Sequence, residues 1–130
     1  MPDDDRVDDD LTELVAAYWT QHRLSQGDRT RRLESAAYFW AWERVEDIVN
    51  VGDDRALAVL DALLAAPEAD VAYVGAGPIE DLVQIADARI ITAIERRCRQ
   101  DALWRAAVSA VIWDDKDRHR LSPLLPYLPA

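Results

Sequence analysis

Aspartates at positions 10, 28, 53, 87 and 101 each stand at the head of a stretch in which apolar residues recur every three or four positions. No other feature constrains the fold as much. An Asp side chain accepts hydrogen bonds from the free amides of a first helical turn, and apolar residues at i, i+3 and i+4 share one helix face. Asp10, with Glu13 as the reciprocal partner of a capping box, opens a helix with Leu11, Leu14, Val15, Tyr18 and Trp19, expected to end near Arg23. A second helix starts at Asp28 or Thr30, carries Leu33, Ala37, Trp40, Ala41, Val45 and Ile48, and runs out at Asn50 and Gly52. Asp53 or Asp54 caps a third, with Leu57, Leu60, Leu63 and Leu64, which Pro67 stops. Asp87 heads Ile90, Ile91, Ile94 and Cys98; Asp101 heads Leu103, Trp104, Ala107, Val108, Val111 and Ile112.

The stretch from 68 to 77 is ambiguous between strand and helix. A lone strand has nothing to pair with, so the expectation is a short helix from Pro67 or Glu68, closed by Gly75. Pro78 suits the first position of a further helix, with Glu80 and Asp81 in its first turn, where the helix dipole favours negative charge. The fold class is therefore all-α, a compact bundle of six or seven short antiparallel helices, with helical-repeat-like stacking as a variant. Residues 1–9 read as an acidic disordered tail, 10–113 as a single helical domain, and 114–130 as a Pro-rich extended C-terminal tail that lies across the domain or docks on a partner.

Composition narrows the function classes. No apolar run reaches the ~18 residues of a membrane span, and the acidic N-terminus is unlike a signal or transit peptide. A cytoplasmic protein with no membrane partner is the expectation. The net charge of −10 leaves no basic stripe to offset phosphates, which argues against nucleic acid. It suits a basic protein partner, although half of it sits between residues 3 and 10, and the preference for Arg over Lys and Asp over Glu also fits a GC-rich coding sequence.

Few residues are patterned for chemistry. Val74-Gly75-Ala76-Gly77-Pro78 resembles a dinucleotide loop, but the third glycine is missing, Pro78 removes an amide, and Glu80 and Asp81 would repel phosphate. Helical spacing puts Glu43 beside Glu46 and Asp47, and Glu80 precedes Asp81; paired carboxylates can do acid–base work only when buried, and the plainer reading is a solvated face. His22 and His119 lie far apart, and Asp115, Asp117 and His119 lack the glycine and closing Glu of a calcium loop, so no metal is expected. No serine sits in a nucleophile-elbow setting. Cys98, the lone cysteine, excludes a disulfide and reads as an idle thiol, though Arg96, Arg97 and Arg99 flank it. No catalytic residue and no cofactor are expected.

Tyr38, Phe39, Trp40 and Trp42 form the densest aromatic cluster. Successive helical residues diverge by about 100°, so these four cannot share one core. Either the helix is central and packed on several sides, or part of the cluster meets a partner. The segments Gly-Ala-Gly-Pro-Ile-Glu-Asp-Leu at 75–82, Ile94-Glu95 and Leu103-Trp104-Arg105 resemble a bacterial family of helical domains of unknown function; the aromatic helix extends the likeness to about two-thirds of the chain. Where that family pattern has Pro after the acidic cap, this chain has Ala102, and Arg96-Arg97-Cys98 stand in place of an acidic run. The resemblance implies a helical fold, brings no activity, and marks Glu80, Asp81 and Arg105 as motif positions; structurally, the two acids favour a helix start and Arg105 supplies a salt bridge.

The leading expectation is a small acidic protein-binding module, of immunity or antitoxin type or an adaptor. Its candidate binding residues are Phe39, Trp42, Glu43, Glu46, Asp47, Glu80, Asp81 and Arg105. The alternatives are a ligand-binding domain or enzyme using carboxylates in an inter-helix pocket, and a structural homo-oligomer subunit.

Overall fold

The structure, a computed structural model, describes the backbone of residues 2–130 and the side chains of 10–130; the side chains of the expected acidic tail lie outside the described residues. Among the described residues there are eight α-helical segments and no strand: α1 Pro2–Ser25, α2 Arg29–Ser35, α3 Phe39–Val51, α4 Asp54–Ala65, α5 Val71–Val74, α6 Glu80–Ile85, α7 Ala88–Gln100 and α8 Ala102–Val108. They form a compact all-α bundle.

Aspartate starts most of these segments. Asp28, Asp53, Asp87 and Asp101 each accept a hydrogen bond from a first-turn amide, of Arg31, Arg55, Ile90 and Leu103 respectively, at 2.8 to 3.0 Å. Asp70 caps α5 in the same way through the amide of Tyr73, so that segment starts at Val71 and not at Pro67 or Glu68. Asp10 is the exception: α1 runs through it, and the capping box with Glu13 does not form. Gly52, at φ 76°, closes α3 in the left-handed conformation that costs glycine least. Ala66, held extended before Pro67, ends α4.

The aromatic helix departs from expectation. It is broken by a 3₁₀ turn over Ala36–Tyr38, with Tyr38 at φ −112°, ψ 2°. Three residues per turn instead of 3.6 rotate the apolar stripe out of register. Ala41, Val45, Ile48 and Val49 reach the core, while Leu33, Ala37 and Trp40 stay exposed and α2 buries nothing. The helix that buries the most side chains is α4, through Ala56, Leu57, Val59, Leu60, Leu63 and Leu64 on one broad face. Trp19 of α1 sits on it, its indole N–H donating to the Leu63 carbonyl at 3.2 Å.

Gly75 does not end a helix either. It opens a π-helical turn, Gly75–Ile79, that joins α5 to α6 without a break. Pro78 explains the wide turn: inside an α-helix its ring would strike the carbonyl four residues back, and it has no amide to give. Gly75 itself lies against α8, where an added Cβ would fall 1.8 Å from the Ala107 carbonyl oxygen.

The C-terminal segment is not extended. It forms 3₁₀ turns at Asp115–Asp117 and at Ser122–Leu124, the second with Pro123 at its start, and Leu121, Leu124 and Leu128 join the core. Trp113 donates its indole N–H to the Pro129 carbonyl at 2.8 Å. The Arg120 guanidinium donates to the carbonyls of Val83 and Ala86, at 2.8 and 3.1 Å, which closes the end of α6. A boundary at 113/114 therefore divides one packed unit.

Candidate functional site

The π turn has a consequence on the surface. It sets Gly77 where an added Cβ would meet nothing within 4 Å, beside a recess of about 320 Å³ between α1, α3 and the α5–α6 helix. Helical spacing brings three residues of α3 to this recess, Trp42, Val45 and Glu46, at i, i+3 and i+4. Buried Tyr18 of α1, Val45 and Pro78 give it an apolar base; Trp42 and Tyr73, both half-buried, are its aromatic walls. Asp81, one turn beyond the π turn, adds a carboxylate to that of Glu46.

The aromatic walls are braced from behind. Tyr73 packs on Tyr18 with ring centroids 6.3 Å apart and on His22 at 4.1 Å. His22 donates through Nε2 to the Asp70 carboxylate at 3.3 Å, and its Nδ1 is buried and without a partner among the described residues. Phe39 stacks on Trp42 at 5.3 Å, 15° from parallel.

The electrostatics are one-sided. Burial, then the neighbouring Glu80, raises the Asp81 carboxyl above its ordinary value. Burial, with Tyr73 and Asp81 nearby, pushes the Tyr18 phenol far above the usual tyrosine range. Among the described residues, no cation forms an ion pair with Asp81 or Glu46. The recess therefore presents partly desolvated negative charge between π faces, an arrangement that attracts cations and repels anions.

The expected site residues divide into three groups. Trp42, Glu46 and Asp81 come together in the recess. Phe39, Glu43 and Asp47 are exposed on the outward face of α3, so the Glu43 and Asp47 carboxylates lack the burial that acid–base work needs. Glu80 and Arg105 serve the fold. Glu80 Oε1 accepts the amide of Ile112 at 2.6 Å and holds the chain beyond α8. Arg105 donates to the carbonyl of Cys98 at 2.8 Å, closing the end of α7; among the described residues it makes no salt bridge. Tyr18, Tyr73 and Gly77 were not among the expected residues. Their only sequence signal is Pro78, a proline three residues after a glycine in an otherwise helical apolar run.

The remaining chemistry resolves in structural terms. Gly75 to Pro78 lie within the helix, so no dinucleotide loop forms. Cys98 is buried, and burial with Glu95 pushes its thiol up to about 11 despite Arg105. Among the described residues no group of three or more His, Cys, Asp or Glu is placed to hold a metal, and no helix is long and apolar enough to cross a membrane.

Fold and recess together define a small all-α domain with a concave, acid- and aromatic-lined site. A family model described as "Family of unknown function (DUF6869)" matches residues 28–121, and the chain belongs to that family. No curated protein and no solved structure matches the chain. The matched span starts at the Asp28 cap of α2 and includes every recess residue except Tyr18.

Proposed function

We infer that this protein is a small binding module, working in the cytoplasm, that docks a basic protein partner by taking one cationic side chain into the Trp42–Tyr73 recess. One observation carries the reading: Asp81 and Glu46 line an aromatic-walled hollow and form no ion pair with a cation among the described residues. A cation over a Trp or Tyr face gains roughly 0.5–2 kcal/mol, more as water is excluded. A guanidinium also matches a carboxylate's two oxygens. The net charge of −10 would steer a basic partner toward such a site, as charge-complementary docking of immunity, antitoxin or adaptor type requires.

The test is an NMR titration with a short peptide containing one arginine, against the same peptide with citrulline in its place. Shifts confined to the Trp42 indole, Tyr73, Gly77 and Asp81, absent with citrulline, are expected. Asp81→Asn with Glu46→Gln should weaken binding about tenfold, as for the loss of one charge-assisted contact. Equal responses to both peptides, or none, would overturn the reading.

The half-buried Asp81 supports a second reading, in which the recess holds a small organic cation as ligand or substrate. A thermal-shift screen of free amines and guanidines separates the two. Strong stabilisation by a free small cation, with no gain from a peptide context, favours this alternative.

A further inference from the structure

The segment from α2 into α3 carries a second surface, which adjoins the recess where Phe39 stacks on Trp42. A helix that buries no side chain is unusual in a domain of this size, and α2 is one. Leu33 is 69 % exposed, and Phe39 and Trp40 follow at 44 % and 45 %. Scattered exposed apolar residues are ordinary, but here they adjoin along one stretch of chain.

The charges on either side of them are arranged by sign. Arg29 and Arg32 share a face of α2 with Leu33 by i, i+3, i+4 spacing. Phe39, Glu43 and Asp47 form one row of α3 by i+4 spacing, opposite the buried Ala41, Val45 and Ile48. Along the chain the order is thus two arginines, an apolar middle, two carboxylates, all exposed. None of the four charged groups has an ion pair or hydrogen-bond partner for its side chain among the described residues. The opposite charges in the segment are engaged or fall elsewhere: Asp28, one turn before Arg32, is taken up by the Arg31 amide as the cap of α2. Glu34 is turned from the Arg29 face by its spacing, and Arg44 lines a groove with Asp10 and Glu13.

A surface that is positive at one end, apolar in the middle and negative at the other is complementary to itself when turned through 180°. A two-fold dimer places the same patch on both subunits, so each end meets its opposite. We propose that this face docks a second copy of the chain, with Leu33 and Phe39 meeting across the two-fold axis and Arg29 and Arg32 of each copy facing Glu43 and Asp47 of the other. The net charge of −10 opposes self-association, and the pairing of opposite local charges, with burial of Leu33 and Phe39, acts against that repulsion.

Sedimentation velocity over about 5–500 µM, a range that brackets modest dimer affinities, tests this. The wild-type chain should shift to twice the monomer mass as concentration rises. Arg29→Glu with Arg32→Glu, and separately Glu43→Arg with Asp47→Arg, should each sediment as a monomer. An equimolar mixture of the two variants should dimerise again, because the reversed ends match across the pair. All four sites are exposed, and circular dichroism of each variant checks that the fold is intact. A wild-type monomer throughout, a dimer that survives either reversal, or a mixture that stays monomeric would overturn the proposal.

Discussion

Gly75 and Ala107 meet backbone to backbone, the Gly75 Cα packed so closely on the Ala107 carbonyl that a methyl group has no room between them. Both residues are buried, and neither the π turn nor α8 can shift a carbonyl cheaply. Gly75→Ala should cost about 3 kcal/mol, the upper range for overpacking, and lower Tm by roughly 10 °C. Gly77→Ala is the control. An added Cβ there meets nothing, and trading glycine for alanine in helical backbone gains about 0.5–1 kcal/mol. Chemical denaturation of the two variants should move in opposite directions.

Asp61 joins three helices. It accepts Arg97 Nε and NH2 on its two oxygens, each at 2.9 Å, and the Trp104 indole N–H at 2.8 Å. Asp61→Ala should destabilise by about 2–3 kcal/mol, because a buried indole N–H and a half-buried guanidinium both lose their acceptor. Asp61→Asn keeps one acceptor for Trp104 and should lose about half as much. Urea midpoints of the two variants check this.

Asp81 gives a pH dependence with an unusual sign. Its carboxyl is raised in the folded chain, by burial first and Glu80 second, so in that window the folded state binds more protons than the unfolded state. Stability then falls as pH rises from the unfolded value toward the raised folded one. Above that window the cost is fully present; below it the cost is gone. Asp81→Asn should therefore raise Tm at neutral pH, and the gain should vanish on acidification through the carboxylate range. A gain that persists at low pH would show that the effect is not electrostatic.

Cys98, with its thiol pushed up to about 11, should resist thiol-specific reagents in the native protein near pH 8 and react at once on unfolding. Fast native-state labelling would contradict the burial of α7's inner face.

The helical caps were legible because an Asp before an apolar stripe is a local signal, and Asp28, Asp53, Asp87 and Asp101 do what that signal implies. Asp70 was not legible, since Val71, Ala72, Tyr73 and Val74 fit strand and helix equally well by periodicity. The break at Ala36–Tyr38 was hidden because its residues suit a continuous helix, and only packing decides that Leu33 and Trp40 stay outside. Trp42, Glu46 and Asp81 could be named from sequence, but not their union with Tyr18 and Tyr73. That union depends on how α1 and α5 cross α3, which no local pattern encodes.

The π turn at Gly75–Ile79 amounts to one surplus residue inside a helix. Each residue of an α-helix advances the wheel by about 100°, so the two halves of this helix are out of phase by that angle. Deleting Ala76, with Pro78→Ala to remove the ring that an α-turn cannot hold, would restore a regular helix, and everything from Glu80 onward would swing round by the same amount. Glu80 would lose the Ile112 amide, and Asp81 would turn away from Trp42. The binding hollow thus owes its composition to a length, and a change of length by one is a larger perturbation to it than most changes of residue.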